Sequence, residues 1–204
     1  MAKTPRIPSW AGPALQGLSY WLGSQHCARL AGNVSEGAIA WELMRLVHTH
    51  RDDGRFLEAE VLYRHVPELN EGAVNGSNER ADLVIANTRR ADRTESYRRG
   101  EVEAVIEIKH NRSRKSLVWA DLDYLAERRS KCRTIRAFFI YASIDERPSE
   151  FTNRDGSSIT PRNQLTPSKK HGFKVRRTCR ATQIIPGKNG KAKGHYSILI
   201  EVSP

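Results

Sequence analysis

The chain has 204 residues, 38% of them hydrophobic and 28% charged, with 34 Lys and Arg against 23 Asp and Glu for a net charge of +11. That length suits one domain with a proper core, and the composition excludes a wholly disordered chain. No apolar run would span a membrane, Met1 to Pro13 holds no apolar signal core, and three widely spaced cysteines make neither a disulfide framework nor a zinc knuckle. A cytoplasmic protein with no membrane partner is expected. Its basic excess favours a polyanion, nucleic acid above all, because Lys and Arg displace counterions condensed on phosphates.

Residues 1–34 carry Pro5, Pro8 and Pro13, with Trp10, Tyr20, Trp21 and Leu22 among them, which predicts an irregular or short-helical segment packed by aromatics. Ser35 is of helix N-cap type, and Ile39, Leu43, Leu46 and Val47 recur at helical spacing, so an amphipathic helix is expected over Glu36–His48. Two strands are expected next, over Ala59–Val66 and Ala81–Ala86, with a polar turn between them. Val102 to Lys109 alternates, with Val102, Ala104, Ile106 and Ile108 on one face and Glu103, Val105, Glu107 and Lys109 on the other. Trp119 to Lys131 places Leu122, Leu125 and Ala126 at helical spacing, and Arg136 to Ala142 is an unbroken apolar run typical of a buried strand.

The charge is segregated. From Gly156 to Ile200 there is no acidic residue, against ten Lys and Arg. Phe173–Ile185 and His195–Val202 read as two strands of a basic hairpin, with a Gly- and Lys-rich tip at 186–194. Lys188, Lys191 and Lys193 at the tip are expected to meet a phosphate backbone, and Arg176, Arg177 and Arg180 to contact phosphates or bases. The chain thus divides into a segment 1–34, a core 35–150 and a basic extension 151–204, within a single α/β domain.

The chemistry lies in the two central strands. If they pair as an antiparallel hairpin with Ile85 opposite Ala104, the same register sets Asp82 opposite Glu107, and Glu107 shares its face with Lys109. Two carboxylates and an ammonium then converge. The carboxylates suit a hard cation such as Mg²⁺, and the lysine can position a water and offset charge growing on a phosphate. A plain cross-strand ion pair on a solvated sheet face is the competing reading. Glu101 and Glu103 are expected to be such solvated acids, and Glu60 to face solvent.

Asp82, a spacer of 24 residues, and then Glu107-Ile108-Lys109 ending an apolar strand resemble the D…(D/E)-x-K signature of the PD-(D/E)XK nucleases. The likeness covers Ser35 to Ala142, where the order helix, three strands, helix, strand is that family's common core. Ala81 stands where the name-giving motif has proline. The resemblance implies a central mixed sheet flanked by helices (a restriction-endonuclease-like core) and Mg²⁺, or Mn²⁺ in its place, bound by Asp82, Glu107 and the backbone carbonyl of Ile108. It also implies an acidic residue on the first core helix. Glu36, on the helix face toward the sheet, is the choice, and Glu42 the alternative.

Other chemistries find less support. His48 and His50 point to different sides of a helix end with no HExxH or CxxC nearby, and no serine sits in a nucleophile elbow. The expected function is a metal-dependent endodeoxyribonuclease acting on double-stranded DNA, of a restriction, defence or mobile-element kind. A homodimer would let two sites cut two strands. The alternatives are a catalytically inactive nucleic-acid-binding protein of the same fold, and a nuclease for RNA or for branched or single-stranded DNA.

Overall fold

The computed structural model describes residues 6–28, 34–52, 54–70, 78–111, 113–132, 134–159, 164–166, 168, 171–183 and 193–203. Among these, three α-helices cover a mixed sheet of seven strands. Helix α1 runs over Ala11–Cys27, α2 over Glu36–His50 and α3 over Lys115–Lys131. The strands are β1 (Phe56–Leu62), β2 (Arg80–Ala86), β3 (Val102–His110), β4 (Arg136–Ser143), β5 (Gln164–Leu165), β6 (Gly172–Gln183) and β7 (Lys193–Ser203). Their order is β1-β2-β3-β4-β7-β6-β5, and β3 with β4 is the parallel pair, joined through α3 as a parallel crossover requires.

The sheet is buried on both faces. On one, α1 and α2 pack Leu15, Leu18, Leu22, Ile39 and Leu43 against Leu83, Ile106, Phe138 and Leu199. On the other, α3 packs Leu122, Leu125 and Ala126 against Val84, Val105, Phe139 and Ile198. Double coverage explains why β3 is more apolar than a half-solvated strand, and why Val105, which sequence alternation puts on the polar face, is fully buried.

Residues 11–27 form one long helix where an irregular or short-helical segment is expected. Pro13 sits in its first turn, where no N–H is needed for the ladder, so the proline tolerates the helix rather than breaking it. Gly12 and Gly17 let α1 approach closely: a Cβ would come 3.0 Å from the Arg177 guanidinium at Gly12 and 2.7 Å from Leu46 at Gly17. In α2, the Ser35 side chain caps the helix by accepting from the Ala38 N–H at 3.2 Å.

The strand expected over residues 59–66 starts and ends earlier. Glu60 has a φ of 57°, a left-handed conformation uncommon for a side-chain-bearing residue. It breaks the alternation: Ala59 packs toward the α1/α2 side, while Val61 and Tyr63 enter the core beneath α3. A 3₁₀ turn over Tyr63–His65 follows. A bulge does the same in β3, where Ile85 pairs with Ala104 but Ala86 pairs with Val102. Val102 therefore joins the α3-side core, and not the face of Ala104 that strict alternation predicts.

The C-terminal strands are integral to the sheet. β7 pairs with β4 from Phe138↔Glu201 to Ser143↔Tyr196, β6 pairs with β7, and α1 lies across both. The extension at 151–204 thus completes the core sheet. The hairpin tip, with Lys188 and Lys191, and the Lys193 side chain lie outside the described residues.

Candidate active site

Strand polarity collects the chemistry at one end of the sheet. The C-terminal ends of β1, β3 and β4, the N-terminal ends of β2 and β7, and the start of α2 meet there. The β2–β3 register sets Ile85 against Ala104 and Leu83 against Ile106, so the next position on each strand brings Asp82 beside Glu107. The Asp82 Oδ2 accepts the Ile108 backbone N–H at 2.6 Å. Asp82 thus reaches across to β3 with its side chain, and the main chain of Ile108 is held at the site.

Glu107 is only 9% exposed. Its Oε1 accepts a short hydrogen bond from the Tyr63 hydroxyl. Burial holds its carboxyl well above the usual range, and the charge of Asp82 pushes the same way, against smaller opposing effects of Tyr63 and Lys109. Asp82 is raised too, by burial first, although the Ile108 N–H and Lys109 work against that. Two carboxylates packed together therefore resist ionising together.

Lys109 is the cation of the site, but it serves other acids. Its Nζ lies 2.8 Å from Glu36 Oε2 and 3.4 Å from Asp121 Oδ2. Burial alone would lower its pKa, yet the Glu36 bond and the charges of Asp121 and Asp82 outweigh burial and raise it. Lys109 is thus an ammonium at neutral pH, a donor and not a base. Glu36 also accepts from the Ser113 hydroxyl at 2.9 Å, and His110 Nε2 stands 4.0 Å away. Of the two candidate acids on α2, Glu36 is the one at the site. Glu42 is held by Arg45 at 2.6 and 2.9 Å. Glu60 is 60% exposed, beside Arg80.

The wall behind Glu107 is beyond sequence reasoning. Tyr63 falls inside the strand that alternation predicts, and only the left-handed Glu60 and the turn after it aim its hydroxyl inward. Arg128 lies over the rings of Tyr63 and Tyr124 at 4.3 and 4.5 Å and donates to the Leu69 carbonyl at 3.0 Å. Asp121, Tyr124 and Arg128 recur at helical spacing on α3, and that spacing is the signal by which sequence could have found them. An open cavity of about 400 Å³ fronts the site, lined by Tyr63, Glu107, Lys109, Asp121 and Tyr124 among others.

The basic candidates of β6 scatter. Arg176 Nη1 is 3.3 Å from Glu201 with its side chain 9% exposed, so its charge is spent inside the fold. Arg177 is exposed but lies on the α1 side, next to Gly12. Arg180 is exposed, over the Tyr196 ring at 5.7 Å, at the site's end of the sheet.

Among the described residues no three His, Cys, Asp and Glu side chains are grouped to hold a metal ion by themselves. The donor set here is a carboxylate pair beside main chain, which suits Mg²⁺, a cation that keeps several waters and takes one or two carboxylates. A divalent cation would also offset the burial that raises both acids and the Asp82 charge that raises Glu107. No helix of the described residues is long and apolar enough to cross a membrane. The chain matches no protein-family model, no curated protein and no solved structure.

Proposed function

We propose that this chain is a Mg²⁺-dependent nuclease of the PD-(D/E)XK kind, an endodeoxyribonuclease hydrolysing phosphodiester bonds. The observation that carries the reading is the meeting of Asp82 and Glu107, two poorly solvated carboxyls both raised by burial, beside an ammonium already hydrogen-bonded to Glu36. A structural ion pair would set the lysine against those two acids and quench their charge.

Asp82, Glu107 and the Ile108 carbonyl would hold Mg²⁺, with Mn²⁺ able to replace it. When bound, such a cation polarises a phosphoryl oxygen and acidifies a coordinated water. Tyr63 fixes one oxygen of Glu107, and the Ile108 N–H fixes one oxygen of Asp82, which preorganises the pair. Lys109, kept protonated, orients the attacking water and offsets the charge developing on the phosphate. Glu36 and Asp121 hold the ammonium in place, and Glu36 is also an acceptor for that water's proton. Double-stranded DNA is the proposed substrate and a basic hairpin its grip. The test is digestion of duplex DNA, single-stranded DNA and RNA with Mg²⁺, Mn²⁺ or EDTA. Cutting with either metal and none in EDTA is expected; persistent cutting in EDTA by clean protein would reject the mechanism.

A further inference from the structure

A second cavity, of about 240 Å³, opens on the other flank of the start of α3. At roughly 30 Å³ per water it has room for about eight waters, the scale of one nucleobase. Asn111, Ser113, Trp119, Tyr141, Glu146 and Phe151 line it. Its position ties it to the site already described: Tyr141 is the register partner of Lys109 on the adjacent strand, and Ser113 donates to Glu36. Adjacent strands lie about 4.8 Å apart, so a nucleotide strand crossing Lys109 passes the mouth of this cavity.

The walls are aromatic and braced from behind. Trp119 leans on Phe151 and Phe173 with ring centroids at 5.5 and 5.9 Å, and Tyr141 meets Phe151 edge-on at 5.3 Å. Phe151 is 1% exposed, whereas Trp119 and Tyr141 are half-buried. Half-buried rings on a rigid base give a stacking platform with little left to order on binding. The cavity is a poor phosphate site, because Glu146 and Glu150 bring negative charge and Lys115 is paired with Glu150. Acidic side chains instead suit the amino and imino donors on base edges.

We propose that this cavity receives one unstacked base of the strand being cut, next to the phosphate held at Lys109. The inference rests on the nuclease reading and revises its substrate away from the intact duplex. A base in a duplex must be unstacked and unpaired first, at a cost of roughly a few kcal/mol, so single-stranded, branched or frayed DNA is favoured over an intact helix.

The test is equilibrium binding in EDTA, where nothing is cut, using a single-stranded oligonucleotide and an abasic strand of the same length and charge. Trp119→Ala should weaken binding of the base-bearing strand about tenfold and leave the abasic strand unchanged, while Trp119→Phe keeps most of the affinity. Equal effects on both strands, or none, overturn the proposal. If Trp119→Ala does not fold, the emission difference between the parent protein and Trp119→Phe reads the contact. Quenching by the base-bearing strand alone supports the pocket, and quenching by neither or by both overturns it. Base-dependent binding without cleavage in Mg²⁺ would sink the nuclease reading and keep the pocket. Cleavage with an indifferent Trp119→Ala would do the reverse.

Discussion

Two glutamates of this molecule sit in nearly the same frame and have opposite electrostatics. Glu58 on β1 accepts a tyrosine hydroxyl, from Tyr97 at 2.8 Å, and an arginine, Arg90, lies 4.9 Å over that ring. Glu107 on β3 accepts the hydroxyl of Tyr63, and Arg128 lies 4.3 Å over that ring. The difference is where the arginine donates. Arg90 bonds Glu58 directly, through Nε at 2.9 Å and through Nη2, whereas Arg128 gives its N–H groups to Leu69 and Glu79 and leaves Glu107 facing Asp82. Burial pushes both carboxyls up, but the bonds from Arg90 and Tyr97 bring Glu58 below its ordinary range, and Glu107 stays well above. One site is finished by the fold. On the proposed reading, the other is left for a cation from outside.

The largest test of that contrast is activity. Glu107→Gln, Asp82→Asn and Lys109→Ala should each cut cleavage by at least about 10²–10³-fold, the usual loss when a preorganised charge is removed. Glu58→Gln should cut at the parent rate. Cleavage assays on all four variants decide it, and parent-like rates in the first three would discard the assignment.

Stability should reverse the order. Glu58→Gln removes the charge opposite the buried Arg90 guanidinium and should cost about 2 kcal/mol, a fall in Tm of roughly 4–8 °C for a chain of this size. Glu107→Gln replaces a carboxyl whose ionisation burial and the charge of Asp82 oppose, and should leave Tm level or higher. Thermal unfolding without metal reads both, and a large loss at Glu107 would mean that the pair is structural after all.

Adding Mg²⁺ sharpens the comparison further. At tenfold over its Kd a ligand of the folded state stabilises by about 1.4 kcal/mol. The parent protein and Glu58→Gln should therefore gain roughly 3–5 °C in Tm. Glu107→Gln and Asp82→Asn should gain little. Equal gains in all four proteins would place the cation elsewhere.

Acid titration isolates Glu58. Its folded pKa is below the unfolded value, so its contribution is present above the unfolded pKa near 4.5 and fades as pH falls through the lower, folded one. The Tm difference between the parent and Glu58→Gln should be full at pH 7 and shrink once pH drops below about 4. A difference that holds constant through that window would assign the effect to packing and not to charge.

How far the sequence places these groups together follows from range. Asp82, Glu107 and Lys109 are tied by strand alternation and one hairpin register, both local rules, and Ile85 pairs with Ala104 as alternation requires. Glu36 is legible as a first-turn acid on the face toward the sheet. Tyr63 is not, because its direction depends on a left-handed Glu60 that no propensity favours. The long α1 is hidden by prolines that stand at or before its first turn. The role of β7, and through it of β6, as sheet strands is hidden because the partner of β7, β4, is more than fifty residues away. Arg176 reads as a cation for DNA until the β6–β7 pairing sets it beside Glu201.

The same contrast, between charges the fold has neutralised and charges it has not, applies to the cations and gives the smallest expected effect. Arg90 and Arg176 are matched within the chain, by Glu58 and Glu201. Lys188, Lys191 and Lys193 have no acidic residue in their own stretch from Gly156 to Ile200. The strand ends that flank residues 184–192, Gln183 and Lys193, pair at the sheet end that carries Lys109, because Tyr196 opposes Ser143 and Tyr141 opposes Lys109. On the nuclease reading, a backbone whose phosphate reaches the site passes the strand ends from which this stretch departs. Replacing the three lysines with Gln should leave cleavage at saturating protein and low salt unchanged, since none belongs to the proposed Asp82, Glu107 and Lys109 set. For every phosphate that the variant no longer neutralises, the slope of log K against log salt should fall by about 0.9 on duplex DNA, or about 0.7 on a single strand. A salt titration of binding in EDTA measures this, and the choice between the two slopes also bears on which strand form is bound. A parent-like slope in the triple variant would move the grip to Arg180, an exposed arginine at the same end of the sheet.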